Sequence, residues 1–229
     1  MEEETPFPPL PQDVLDLIPK GEVSSKALAL ARDALSEPIF NHSIRVFLLA
    51  KWVAMKESSE WQEESRLPLL FVAAVCHDIG ASDLYNGEQR FEVEGADAAK
   101  AHLLVQGVPE SDSHEVWTAI ALHTSAGIAE RISSLARIIR FAVKSDFSPA
   151  YCSQLGAADY AAHIGRLLPR LDVEKALGDA VVKQAAKIPE HVDSLTWPNS
   201  EKHPSASWPG ILLRAHLENP GYEGINPAF

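Results

Sequence analysis

From Ser24 to about Lys187 the apolar residues recur every three or four positions, and they nowhere settle into alternation. That period constrains the chain more than any other feature. It describes helix stripes that must pack on one another, and it leaves no material for a sheet, so the expected fold class is all-α. Pro and Gly punctuate the pattern. Ser24 and Ser25 are placed to cap a helix through KALALARDALS that Pro38 ends. Residues 39–56, with Ile44, Phe47, Leu48, Ala50, Trp52 and Met55, predict a helix buried on more than one side. Pro68 opens a helix over 69–79, with Gly80 as its terminator, and another over 92–106 ends at Gly107. Asp112 and Glu115 have the spacing of a capping box for a helix ending near His123. A helix over 132–143 and two more between Pro149 and Lys187 complete the set.

The chain has 229 residues, enough for one domain with a substantial core. Residues 1–20 begin acidic and Pro-rich and read as a flexible arm. Residues 21–187 form the helical domain. Residues 188–229, rich in Pro and with two Trp, read as an irregular tail packed on it. Two cysteines, Cys76 and Cys152, make no disulfide framework and suit a reducing compartment. No apolar run reaches the ~20 residues of a membrane span, and the first residues lack the basic start and apolar core of a signal peptide. The formal net charge of −12 repels phosphate backbones and anionic membranes. The expectation is a cytoplasmic protein, with the nucleus left open, that acts on small molecules. It binds neither nucleic acid nor membrane, and its association into a homo-oligomer is left open.

Three places on this frame carry metal-ligating residue types in settings a core would not choose. His42 lies near the start of a helix in FNHSIRVFLLAKWV. His77 and Asp78 end the apolar run LLFVAAVCHDIGAS. Asp146 closes the apolar helix RIIRFAVKSDF. Two imidazoles and two carboxylates suit Zn²⁺, Fe²⁺ or Mn²⁺. Neighbours on a helix point ~100° apart, so His77 and Asp78 reach one ion most easily at a helix end.

The order H…HD…D over roughly Pro38 to Phe147 resembles the HD-domain metalloproteins, an all-α superfamily of metal-dependent hydrolases and related enzymes. The resemblance implies His42, His77, Asp78 and Asp146 as metal ligands. NHSIRVF, CHDIGAS, RFEVEGADAA and IALHT look more closely like the cyanamide hydratase branch, whose members add water to a nitrile to give urea. One departure stands out: where that branch has an acidic residue just after the IALHT histidine, this chain has Thr124. Two-metal members of the superfamily carry an extra histidine shortly before a Gly-Ala step. Here Gly95-Ala96 is preceded by Phe91 and Glu92, and His102 and His114 are placed for packing and exposure, so one metal is expected, with Zn first and Fe or Mn next.

The function expected is a metal-dependent hydratase or hydrolase acting on a small neutral nitrile-like substrate, with cyanamide to urea as the reference reaction. Glu92 and His123 are the candidate catalytic acid–base groups. Arg45, Thr124 and Lys144 are candidate substrate contacts, Arg45 having a structural salt bridge as its competing role. The alternatives are a nucleotidase-like phosphohydrolase, a di-iron oxygenase, and a non-catalytic binding protein stabilised by its metal.

Overall fold

The computed structural model describes residues 7–187 and 207–229. Every element among them is helical. The arm expected to be flexible is anchored from Phe7 onward. Phe7, Leu10, Val14 and Ile18 are buried around a short helix α1 (Gln12–Leu15). The Phe7 ring packs 5.1 Å from that of Phe40, with the Arg32 guanidinium 4.7 Å over it. Residues 1–6 lie outside the described residues.

Helix α2 (Glu22–Ala34) starts earlier than Ser24 and Ser25 suggest, with Gly21 at φ +115° as its N-cap. Ser24 is buried inside it, and the Ser25 hydroxyl donates to the Glu22 carbonyl. Pro38 opens the next helix instead of ending this one. It sits in the first turn of α3 (Glu37–Lys56), where a missing N–H costs nothing. Every residue of α3 from Ile39 to Ala50 is buried, which makes it the axis of the fold.

Helix α4 (Leu67–Val75) packs between α3 and α2 and is buried from Leu69 on. Then follow α5 (Phe91–Val105), α6 (Glu110–Ala121), the short α7 (Ala129–Ile132) and α8 (Ser134–Phe147). The expected capping box of α6 does not form. Pro109 precedes the helix, and Asp112 instead accepts from Arg66 at 3.0 Å. Helix α8 does have a side-chain cap, the Ser133 hydroxyl accepting from the Ala136 N–H.

Between α8 and Lys187 there are three helices, one more than the periodicity suggested: α9 (Pro149–Leu155), α10 (Ala158–Leu167) and α11 (Val173–Ala185). The described part of the tail is not irregular. Ser207 caps α12 (Trp208–Glu218), which packs against α11. Residues 188–206, including Trp197, lie outside the described residues. Leu212 joins the main core, in which α3, α4, α5, α6 and α8 meet. No helix among the described residues is long and apolar enough to cross a membrane.

Candidate metal centre

Helix α4 ends at Val75, four residues before the expected stop, and the chain passes through Cys76 (φ −101°, ψ −1°) and Asp78 (φ −108°, ψ 5°) into a single 3₁₀ turn, Ile79–Ala81. His77 and Asp78 therefore sit on a tight bend, not on a helix face. Gly80 is not a left-handed terminator. Its α-carbon is pressed against α5 so closely that a Cβ there would fall 1.9 Å from the Phe91 carbonyl oxygen and 2.7 Å from the Gly95 nitrogen. The Gln184 side chain of α11 donates to the Gly80 carbonyl at 2.8 Å, holding the bend from its other side.

This bend brings His77 and Asp78 to His42 of α3. One donor atom from each of the three lies within 4.8 Å of the other two, and all three residues are buried. His123, just past the end of α6, approaches from the fourth side with its Nε2 3.5 Å from Asp78 Oδ1.

The hydrogen bonds decide what this group wants. His77 Nδ1 donates to the Ala74 carbonyl at 2.7 Å, and His123 Nδ1 to the Ile120 carbonyl at 2.7 Å. His42 Nδ1 donates to Asp146 Oδ2 at 2.7 Å. Carbonyl and carboxylate oxygens only accept, so each Nδ1 carries a proton and each ring turns its Nε2 inward as the atom left to hold a cation. Two of these, on His42 and His77, face each other at 3.2 Å. Asp78 Oδ2 is buried there with no hydrogen-bond partner. Ring nitrogens and an orphaned carboxylate oxygen converging in a dry space call for a cation. The donor set of imidazole nitrogens and carboxylate oxygen fits a divalent transition metal such as zinc.

The electrostatics agree. Burial pushes the Asp78 carboxyl up, but His77 and His123 outweigh it and hold the group well below the usual carboxylate range. Burial lowers His42, keeping its imidazole neutral. Burial also acts to lower His77, yet Asp78 beside it brings the net direction upward, so without a metal the same point attracts a proton.

Asp146 does not face this point. Its carboxylate lies on the far side of the His42 ring, where Arg45 grips it with two bonds, Nε to Oδ1 and Nη2 to Oδ2, both 2.8 Å. Arg170 adds a bond to its backbone carbonyl at 2.7 Å and approaches Oδ2 at 3.3 Å. The three donors that converge within 4.8 Å among the described residues are those of His42, His77 and Asp78, with Asp146 outside that group. Asp146 holds the tautomer and orientation of His42, as carboxylates behind metal-bound histidines do.

Arg45, a candidate substrate contact with a structural salt bridge as its competing role, makes that salt bridge here. Its Nη1 points to the Leu168 and Pro169 carbonyls at 3.1 and 3.2 Å, so four of its five N–H groups are engaged within the fold and the side chain is buried. Glu92 is fully buried at the start of α5. It accepts from Arg90 at 2.7 Å and from the Thr124 hydroxyl at 2.6 Å. Burial raises its carboxyl, but Arg90, with His123 and Thr124, brings it net below its ordinary 4.5. His102 bonds to the Val23 carbonyl, and His114 stacks on Trp117, both away from the centre.

A cavity of about 320 Å³ opens beside the cluster. Asp78, His123 and Thr124 form its inner end, and Arg140, Lys144 and Ser148 supply its other polar groups. Thr124 and Lys144 line the cavity, whereas Glu92 does not and is linked to it by its bond from Thr124. Val143, Phe147, Leu177, Trp208 and Phe229 also line it, and none of these was legible as a site residue. Trp208 and Phe229 are far from the metal motifs in sequence, and no local pattern links them.

Residues 39–144 match the family model described as HD domain, a span running from α3 through most of α8. No curated protein matches the chain. The match covers His42, His77, Asp78 and His123 together with the elements that carry them, so over this span the chain is similar to the HD domain, whose family members are generally metal-dependent hydrolases.

Proposed function

We propose that the chain is a mononuclear metal-dependent hydratase or hydrolase that adds water to a small uncharged nitrile-type carbon, with cyanamide to urea as the reference reaction. The observation that supports it most is the meeting of three inward-facing imidazole Nε2 atoms with the buried Asp78 carboxylate, beside a cavity that Asp78 and His123 line. In this reading His42, His77 and Asp78 hold one ion, Zn²⁺ before Fe²⁺ or Mn²⁺, and His123 completes the donor set. A bound divalent cation supplies Lewis acidity and lowers the pKa of water toward ~7.

The protein's own groups then orient substrate and manage protons. The Thr124 hydroxyl donates to ionised Glu92, and its oxygen, which also accepts from Arg90 at 3.5 Å, has a second lone pair for a group in the cavity that Thr124 lines. A proton released in the cavity thus reaches Glu92 through Thr124, and Glu92 works as a base in the resting state, not as an acid. Arg90 keeps it ionised. Phe147 packs on His42, ring centroids 4.6 Å apart, and covers that side of the cluster.

A nucleotidase-like phosphohydrolase is the second reading, favoured by Arg140 and Lys144 on the cavity wall. It loses its expected phosphate grip, because Arg45 is spent on Asp146. Arg140 is also tied, to Glu130 and to the His123 carbonyl. Urea release from cyanamide, by protein whose zinc and iron have been counted, tests the proposal. Zinc-dependent urea that vanishes in His77→Ala sustains it. One equivalent of metal with no urea, but phosphate released from a nucleoside monophosphate, overturns it.

A further inference from the structure

Cyanamide has three heavy atoms and needs the room of two or three waters, on the order of 60–90 Å³. The cavity beside Asp78 and His123 measures about 320 Å³, within the range of pockets that enclose whole organic ligands. Its surplus space is mostly apolar. Besides Arg140, Lys144 and Ser148, the wall beyond Thr124 is built from Val143, Phe147, Leu177, Trp208 and Phe229. The three aromatic rings form a continuous corner. Trp208 meets Phe229 edge-on at 5.7 Å and 88°, and Phe229 meets Phe147 at 6.1 Å. Phe91 ties that corner to the metal end, lying 5.8 Å from Trp208 and 5.7 Å from His123.

An apolar recess of this size, left lined by water, is an unfavourable surface that a matching apolar body removes from water on binding. A three-atom polar substrate makes no use of it. We propose that the cavity selects a substrate with an aromatic or branched apolar body carried on the reactive polar carbon, the polar end at Asp78, His123 and Thr124 and the body against Phe147, Trp208 and Phe229. This rests on the metal-centre reading and narrows its substrate class.

Two probes with the same chelating group separate the two ideas. Acetohydroxamate and benzohydroxamate both bind a metal through two oxygens and differ only in the apolar body. Their affinities for the zinc-loaded full chain are compared by calorimetry, in the wild type and in Phe229→Ala. Phe229 is 46% exposed, so truncating it disturbs the fold little, and thermal melts check that. The expected result is at least tenfold tighter binding of benzohydroxamate, with the gap falling below threefold in Phe229→Ala. Equal affinity of the two in the wild type would overturn the substrate class while leaving the metal centre standing. Failure of both to bind zinc-loaded protein would overturn the metal-centre reading and this inference with it.

Discussion

Gly80→Ala is the substitution whose outcome the structure specifies most sharply. Gly80 does not use a left-handed backbone, so alanine meets no conformational strain there. Through the unfolded chain alone it would even stabilise by about 0.4–1 kcal/mol. What opposes it is contact. The added Cβ would sit 1.9 Å from the Phe91 oxygen, where ordinary van der Waals contact begins at 3.4 Å, so the bend and α5 must separate by about 1.5 Å. Both partners are backbone, so no side chain can swing aside. Overpacking of this kind costs about 3 kcal/mol, equivalent to roughly 6–12 °C in Tm for a chain of this size. The bend carries His77 and Asp78, so zinc affinity should fall as well, by about tenfold or more, because such sites tolerate displacements of only ~0.5 Å. Thermal melts of metal-free and zinc-loaded protein, with zinc affinity from a competing chromophoric chelator, measure both effects. Gly165→Ala is the control: α10 leaves open space around that position, and it should be neutral or slightly stabilising. A Gly80→Ala protein that melts at or above the wild-type temperature with unchanged zinc affinity would refute the close-packing account of the bend.

Three other perturbations probe separate parts of the reasoning. Asp146→Asn should retain one equivalent of zinc but bind it about 10–100-fold more weakly, because it loosens His42 without removing a donor, whereas Asp78→Asn should lose stoichiometric binding; equal effects would place Asp146 on the metal. The folded-state pKa of Glu92 is depressed, so its stabilisation is complete above about pH 4.5 and is lost as pH falls through the lower folded value. The Tm difference between wild type and Glu92→Gln should therefore be largest near neutrality and shrink below pH 4. A constant difference from pH 3 to 7 would contradict the ionised clamp. Burial pushes the Cys76 thiol up to about 12 and Cys152 is also buried with its thiol raised, so neither should react with a thiol reagent at pH 8 until denaturant is added. Rapid labelling of the native protein would contradict that burial.

The helical period was enough to establish an all-α fold and to place most of its elements within a few residues, because helix formation couples positions three and four apart and these are adjacent in the text of the chain. The same locality made His42, His77 and Asp78 visible, since an imidazole or carboxylate stands out against an apolar helix. Proline and glycine misled where their local meaning was ambiguous. Pro38 serves a helix start as readily as an end, and Gly80 is required not by its own φ but by the backbone of α5, eleven or more residues away. Only the tertiary structure decided that Asp146 lies behind His42 in the grip of Arg45, that His123 joins the cluster, and that Trp208 and Phe229 return to wall the cavity. Those facts depend on which faces of distant helices meet. That is settled by the packing of the whole core, for which no single stretch of sequence carries a period.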